Sequence, residues 1–503
     1  MGAAVAPSDV PRPAKPPVVF DRDAEWEALV AFACDTRPGP GLGVVSGRLR
    51  QGKSFLLEAL TGALDGFCFG AHQAARAESL HRLDDELAVY TGESPAGHRS
   101  GWADTVDALL ALGGRQPVLV VLDDFPELVR QSPELPSVIH NAYRRLRETG
   151  PNVRTRLLVS GSSLPVMHRL FSAASPLHEL ADLELTVGPL DFRRAAGFWG
   201  IDDPGLALLV HAVVGGSPAY RRYAGDRAPD GPGDFDAWVC ATVLDPRSPL
   251  FLESHHLLQE ETDHWDRALT HSALSAIVSG CSTQGDIAER VGASLTDVSH
   301  CLSLLHANGL LRSEPDAFRP NLVRLRITEP LLAFEHAAVR HHGSALPRQD
   351  AAAVWHRARP VFETAVAEPH FAEICRTWAT EFAGPAVFGG RPTAASHGSL
   401  PGPAGREGPA AEAEVVVRGR ADGRPEALLS VGAARWNEVM DLRHLEDLRH
   451  LVALLAGRGE DVARVRIACY SGAGFTPGLR AAEADGQVVL VGLDRLYRED
   501  QDP

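Results

Sequence analysis

The sequence predicts an α/β multidomain protein, and three observations carry that prediction. The chain has 503 residues, too many for one hydrophobic core, which points to three or four domains. Over residues 17–195, short apolar runs alternate with stretches of helical spacing, the pattern of a parallel sheet with crossover helices. One stretch, GRLRQGKS at Gly47–Ser54, sits between such a strand and such a helix.

Composition narrows the class. Apolar content of 45% and charged content of 23% are those of a soluble globular chain. The formal charge of −16 argues against non-specific nucleic-acid binding except through a local patch. Lysine occurs only at Lys15 and Lys53, and every other basic residue is arginine. That habit, with abundant Ala, Gly and Pro, points to a GC-rich, bacterial genome. The seven cysteines have no CxxC spacing, which argues against a zinc site or a disulfide framework and fits a reducing cytoplasm. The start, MGAAVAPSDVPRPAKPP, has no apolar run of signal-peptide length, and its Met-Gly lacks the Ser or Thr a myristoylation signal needs. No stretch reaches the roughly 18 apolar residues of a membrane span. The expectation is a cytoplasmic protein without membrane contact.

Residues 1–16 read as a disordered tail. The segment PVVFDRDAEWEALVAFACD leads into an amphipathic helix with Trp26, Leu29, Val30 and Phe32 on its apolar face. GLGVVSG reads as a buried strand, KSFLLEALTGAL as a helix, and FCFGAH, PVLVVLDDF, RLLVSGSS and LELTVGPL as four further strands. Residues 196–258 are mostly helical. Residues 259–345 contain three helices (WDRALTHSALSAIVSG, TQGDIAERVG, SLTDVSHCLSLLHANGLL) and an extended segment with a Pro-containing turn, the outline of a winged helix. In residues 346–503 a Gly/Pro/Ala-rich stretch, GGRPTAASHGSLPGPAGREGPAAEA, reads as a loop between helical HFAEICRTWATEF and strand-like EVVV. EALLSVGA, VRIACYS and VVLVGL read as strands, and DLRHLEDLRHLVALLA as a helix with Leu442, Leu445, Leu448 and Leu451 at every third position.

Gly47 and Gly52-Lys53-Ser54 make the GxxxxGK[ST] pattern of a P-loop. Its glycines turn backbone N–H groups inward around phosphates, and the helix N-terminus adds partial positive charge. The ammonium of Lys53 is a slim point charge that threads between phosphate oxygens where a planar guanidinium is too wide. That is why an arginine-writing sequence keeps lysine here. Arg48, Gln51 and Phe55 complete the expected nucleotide contacts, and Ser54 would give a hydroxyl to Mg²⁺.

VLVVLDD, about 70 residues later, reads as a Walker B strand. Asp123 would hold the Mg²⁺ shell and Asp124 would polarise the attacking water; the pair could alternatively cap the next helix. Asp124 stands where many such ATPases carry Glu, and its shorter reach would slow hydrolysis. Ser162, in SGSS, is the candidate γ-phosphate sensor, or else part of an ordinary polar strand-end turn.

With these motifs in place the chain resembles the archaeal-type ATPases of the STAND branch of AAA+ P-loop NTPases, over roughly residues 17–497. The resemblance rests on FDRDAEWEAL, GRLRQGKS, VLDDFPEL, LLVSGSSLPVM, SPLHEL, GGSPAY and SGAGFTPGLRAA, in that order. It implies a P-loop NTPase parallel sheet of order 5-1-4-3-2 (residues 17–195), a helical lid (196–258), a winged helix (259–345) and a restriction-endonuclease-like α/β domain (346–503). It also implies ATP and Mg²⁺ as ligands. GGSP is similar to an element that contacts adenine, making Gly216 and Pro218 base-site candidates; the other reading is a helix-ending turn. Arg22 lines the base pocket or is a surface charge. The family often has Gly at Asp21, and an arginine within the segment that here reads SPLHEL. Arg193 or Arg194 are the candidates to replace that arginine at the γ-phosphate.

The nuclease-like domain of the family uses Asp and then Glu-x-Lys. The corresponding residues here are Glu414, Ala433 and Arg435. Alanine ligates nothing and arginine stays protonated, so the domain reads as degenerate and nuclease activity is not expected. The helix expected to recognise DNA carries no Arg or Lys and places Asp297 toward phosphates. The wing carries Arg312, Arg319, Arg324 and Arg326, which can touch a backbone.

The first functional reading is an ATP-binding, Mg²⁺-dependent slow ATPase that acts as a nucleotide-controlled switch on protein partners the sequence does not name. The alternatives are an ATP-dependent DNA-acting protein and a nucleotide-binding scaffold without turnover. An oligomer is compatible with each.

Overall fold

The computed structural model describes residues 12–92, 99–114, 116–149, 153–258, 266–340, 350–401, 409–421 and 423–498. The expected tail lies mostly outside that set. The chain divides into two compact units, Met1–Pro189 with Ser217–Ala219, and Leu190–Gly216 with Tyr220–Pro503.

The first unit is built on five parallel strands: β1 (Gly41–Ser46), β2 (Phe67–Gly70), β3 (Val118–Asp123), β4 (Thr155–Gly161) and β5 (Ala181–Thr186). Their order is β2-β3-β4-β1-β5, which read from the other edge is the 5-1-4-3-2 sheet that the resemblance implies. β4 is buried along its whole length, as expected for an inner parallel strand covered on both faces. Helix α1 (Asp23–Ala33) leads into β1, and among the described residues six helices lie between the strands: α2 (Lys53–Ala63), α3 (Arg76–Thr91), α4 (Trp102–Ala111), α5 (Phe125–Gln131), α6 (Leu135–Thr149) and α7 (Leu164–Leu170).

Side-chain alternation splits the sheet into two cores. Val45, Leu119, Val121 and Leu158 face α1 and α2, meeting Trp26, Leu29, Phe32, Leu56, Leu57 and Leu60. Leu42, Val44, Val120, Leu122, Leu157 and Val159 face the opposite way, against α3, α4 and α6. Each fully buried side chain contributes about 1.5–3 kcal/mol relative to exposure. Buried Arg156 ties down the chain entering β1 by donating to the carbonyls of Asp35, Arg37 and Gly39. The pairing of β3 and β1 with β4 brings their C-terminal ends level, so Ser46, Asp123 and Gly161 lie at one edge of the sheet. Open parallel sheets bind ligands at that edge.

The second unit begins with helices Phe192–Trp199, Pro204–Val214, Phe235–Ala241 and Pro249–His256. Three helices follow, Arg267–Val278, Gln284–Val291 and Leu295–Ala307. Side chains of Asp266, Thr283 and Ser294 cap their N-termini. An antiparallel hairpin, β6 (Leu311–Pro315) and β7 (Val323–Ile327), comes next. The helix Pro330–Phe334 continues as a π turn, Glu335–Val339. A long helical run, Ala351–Phe382, contains two more π turns. The first, Glu363–Ala367, lies just before Pro369. Pro369 has no N–H to give Ala365, and the wider turn absorbs it.

The unit ends in a mixed sheet ordered β12-β11-β10-β9-β8. β8 (Arg391–Pro401), β9 (Pro409–Ala421) and β10 (Arg424–Arg435) pair antiparallel. β11 (Arg466–Ser471) and β12 (Val489–Gly492) continue the sheet in parallel. Helix Leu442–Gly457 covers one face with Leu445, Leu448, Leu451 and Leu455.

Two sequence expectations change here. The Gly/Pro/Ala-rich stretch is not a loop: β8 and the start of β9 occupy most of it, and residues 402–408 lie outside the described set. β8 is an edge strand with register shifts at Pro392 and Pro401, where missing N–H groups are tolerated. Leu442 is 45% exposed and does not belong to the apolar seam, which closes on Leu455 instead. Among the described residues no helix is long and apolar enough to cross a membrane.

Candidate nucleotide-binding site

β1 ends at Ser46, and the chain turns through 47–52 into α2 at Lys53. The turn needs its glycines. Gly47 has φ 151°, and a Cβ there would lie 2.2 Å from the Val187 carbonyl oxygen. Gly52, the residue before α2, has φ 88°, in the left-handed region. Lys53 is only 6% exposed. Its Nζ donates to the carbonyls of Gly47 (2.7 Å) and Arg48 (2.8 Å), so the ammonium sits within the curve of the loop. A buried ammonium needs acceptors, and phosphate oxygens are of the same kind.

Asp123 closes β3 and is 8% exposed. The buried hydroxyl of Ser160, on β4, donates to its Oδ1. Asp124 follows with φ 51°, preceding α5, and its side chain makes no capping hydrogen bond. The helix-capping alternative therefore fails. Burial, and then the charge of Asp123, push the Asp124 carboxyl above its ordinary range, while Lys53 pulls it down. Asp124 thus lies within electrostatic reach of the P-loop lysine.

Arg22 is 9% exposed, so the surface-charge reading fails. It donates to Glu25 Oε1 (2.9 Å), the Gly188 carbonyl (2.6 Å) and the Gln51 carbonyl (3.4 Å), tying the loop to the strand exit. Asp21 and Arg22 have φ of 53° and 64°. This explains the glycine that the resembling family often places at 21; Asp is among the residues that tolerate this region. Lys15, the other lysine, donates to the Asp21 carbonyl and pairs with Asp23 at 2.8 Å.

Gln51 is 3% exposed and its Nε2 donates to Ser217 Oγ at 3.2 Å. Ser217 and Ala219 flank Pro218, and the Ala219 N–H reaches the Arg50 carbonyl at 3.5 Å. Pro218 is therefore held beside the P-loop. Gly216 accepts from the Leu190 N–H at 2.8 Å, and a Cβ there would lie 1.8 Å from the Leu190 carbonyl oxygen. Close backbone approach accounts for that glycine.

Ser54 and Phe55 stand exposed on the first turn of α2. Ser162 lies one residue past β4, half-buried. The residues present fit a nucleotide with Mg²⁺. The loop leaves no room for a Cβ at Gly47, the lysine ammonium is held on carbonyls, and the acidic pair stands at the end of β3, separated from β1 by β4.

No protein-family profile matches the sequence, and no curated protein matches it. Solved structures resemble it only loosely, each of those that follow with a TM-score below 0.5. The Walker-type ATPase of Pyrococcus abyssi is 19% identical, covering 65% of this chain and 98% of its own, with a TM-score of 0.49. The ORC2 protein of Aeropyrum pernix is 14% identical, covering 71% of this chain and 96% of its own, with a TM-score of 0.43. The Cdc6p of Pyrobaculum aerophilum is 15% identical, covering 72% and 97%, with a TM-score of 0.31.

Within the second unit, several expected contacts are already occupied. Arg193 donates to the carbonyls of Leu496 (2.6 Å) and Arg495 (3.3 Å) and lies over the Phe382 ring. Arg194 pairs with Asp191 at 3.2 Å. The arginines of the β6–β7 hairpin are ion-paired. Arg312 meets Glu314 (2.5 Å) and Glu373 (2.7 Å), and Arg326 meets Glu314 (2.7 Å). Arg324 and Arg319 lie 3.6 and 4.0 Å from buried Asp316. Glu414 accepts from Arg435 Nη1 (2.7 Å) and the Ala434 N–H (3.2 Å).

Proposed function

We propose that the protein binds ATP with Mg²⁺ and hydrolyses it slowly, as a nucleotide-controlled switch. The observation that carries this is the placement of Lys53 inside the loop with Asp124 in electrostatic reach, beside an Asp123 fixed by Ser160. Mg²⁺, when bound, supplies charge neutralisation for the transferring phosphoryl group. The chain's own residues do the rest. The loop N–H groups and Lys53 hold the phosphates, Asp123 with Ser54 provides oxygen donors for the ion, and Asp124 orients and deprotonates water. Ser162 is assigned to the γ-phosphate, and Arg22, Gly216 and Pro218 to the base.

In this reading, residues 17–195 are the NTPase core, 196–258 the lid, 259–345 a winged helix and 346–503 an inactive nuclease-like domain. The Arg435–Glu414 pair supports inactivity, because a guanidinium stands against the carboxylate that would hold a metal. The ion-paired wing arginines favour a switch acting on proteins over a DNA-acting role.

The test is phosphate release from ATP and Mg²⁺ by the full chain, beside Lys53→Ala and Asp124→Asn. Turnover in the wild type that both variants lose supports the reading. Binding without turnover replaces it with a nucleotide-sensing scaffold.

A further inference from the structure

Far in sequence from the P-loop, three side chains of metal-binding type converge. His271 comes from helix Arg267–Val278, and Glu335 and His336 from the π turn that extends helix Pro330–Phe334. One ligand-capable atom from each lies within 4.8 Å of the other two. Glu335 is 4% exposed and His336 1%. His336 Nε2 is 3.2 Å from Glu335 Oε2, and its Nδ1 is 2.9 Å from Ser275 Oγ. Glu335 Oε2 and His271 Nδ1 are both buried and make no hydrogen bond.

This arrangement is costly as it stands. A carboxylate taken out of water needs a cation or a donor. Among the described residues the only ion-pair partner of Glu335 is His336, a cation only when protonated. A divalent cation resolves the conflict, because it accepts lone pairs from neutral imidazoles and a carboxylate together.

The backbone adds a second, independent observation. The N–H of Arg340 donates to the Glu335 carbonyl at 2.8 Å, a five-residue turn. π turns are uncommon and recur at functional sites, and the wider turn narrows the angle between consecutive side chains. Here it brings Glu335 and His336 toward one neighbour.

We propose that His271, Glu335 and His336 form a structural zinc site. Two imidazole nitrogens and one carboxylate oxygen suit a borderline divalent ion, zinc above the hard cations magnesium and calcium. The fourth position falls to water or to His255 at the end of helix Pro249–His256. His255 Nδ1 is 3.0 Å from the Phe251 carbonyl, so its Nε2 would be the ligand atom. The ion cross-links the first of the three helices to the segment that follows the β6–β7 hairpin. It involves neither nucleotide nor the P-loop.

The experiment uses the full chain without an affinity tag, stripped with chelator and then given zinc without nucleotide. Elemental analysis should find one zinc per chain, and Tm should rise by on the order of 5 °C with zinc about 100-fold above its Kd. Cobalt in its place should give the strong visible bands of a four-coordinate ion. Glu335→Gln, which keeps the side-chain shape, and His271→Ala, at a half-buried position, should each lose the metal, the Tm rise and the cobalt bands. Lys53→Ala should keep all three. If Glu335→Gln does not fold, His271→Ala decides alone. A wild type that retains no zinc overturns the proposal. So does a His271→Ala protein that binds zinc as the wild type does.

Discussion

The Ser160 hydroxyl donates a hydrogen bond to Asp123 Oδ1, joining β4 to the acidic end of β3. Ser160 is fully buried and Asp123 nearly so. The bond fixes one carboxylate oxygen; under the proposed function the other would face the metal. Ser160→Ala should cost about 1–3 kcal/mol of stability, since a buried acceptor on a charged group loses its donor. Phosphate release should also require more Mg²⁺. Thermal unfolding and a Mg²⁺ titration of turnover check the two effects separately. An unchanged Mg²⁺ dependence would leave Ser160 a purely structural role.

Lys53 is the sharper test of the loop. Its ammonium already lies between two carbonyls of the loop. Lys53→Ala should weaken ATP analogue binding by on the order of 100-fold, as charge-assisted bonds to phosphate are lost. Lys53→Arg should recover little, because the planar fork does not fit the same curve. Equilibrium binding of a fluorescent nucleotide decides. Full recovery by arginine would mean that charge alone matters there.

Asp124 makes a pH prediction. Burial and the Asp123 charge raise its folded-state pKa above the unfolded value. Between those two values the folded state holds more protons than the unfolded state, so its stability contribution falls as pH rises through that window. Asp124→Asn should therefore raise Tm at neutral pH, and the gain should shrink on acidification below the ordinary carboxylate range. The same variant should bind ATP and fail to turn it over. A stability gain that persists at low pH would locate the effect elsewhere than in this ionisation.

Much of this site was legible in the sequence, for physical reasons. The P-loop is contiguous, and glycine with lysine at fixed spacing leaves few other meanings. Ser160 was not legible. SGSS offers three serines, and only the β3–β4 register shows which one stands beside Asp123. β8 was hidden because Gly, Pro, Ala and Ser are poor strand formers alone, and its partner β9 made it a strand. The buried His271–Glu335–His336 group escaped because His271 lies 64 residues before the adjacent Glu335 and His336, a separation that carries no metal-ligand pattern.

The β6–β7 hairpin yields a prediction about DNA. Arg312 and Arg326 are directly opposed across the hairpin, and Glu314 bridges both. Burial pushes the Glu314 carboxyl up, but Arg376, Arg326 and Arg312 outweigh it and hold it below its ordinary range. Its stabilisation is present above the unfolded pKa and is lost as pH falls through the folded one. Arg326→Ala should cost about 1–3 kcal/mol near neutral pH and less in acid. Duplex DNA should show no salt-dependent mobility shift with the wild type. A shift at low salt, lost on Arg324→Ala with Arg326→Ala, would restore the DNA-acting reading.

Glu414 and Arg435 form an ion pair at 2.7 Å, and the proposed nuclease-like reading of this domain would put its metal there. Burial lowers the Arg435 guanidinium, but the Glu414 charge more than reverses this, so the guanidinium stays protonated. Both Glu414 oxygens are occupied, one by Arg435 and one by the Ala434 N–H. A metal would have to displace a guanidinium that cannot lose its proton. Glu414→Gln should therefore act on folding, costing about 1–3 kcal/mol, and leave ATP turnover intact. Mg²⁺ or Mn²⁺ should produce no cleavage of plasmid DNA by the wild type. Cleavage that Glu414→Gln abolishes would show that the guanidinium yields to a metal after all, and that the domain keeps a nuclease centre.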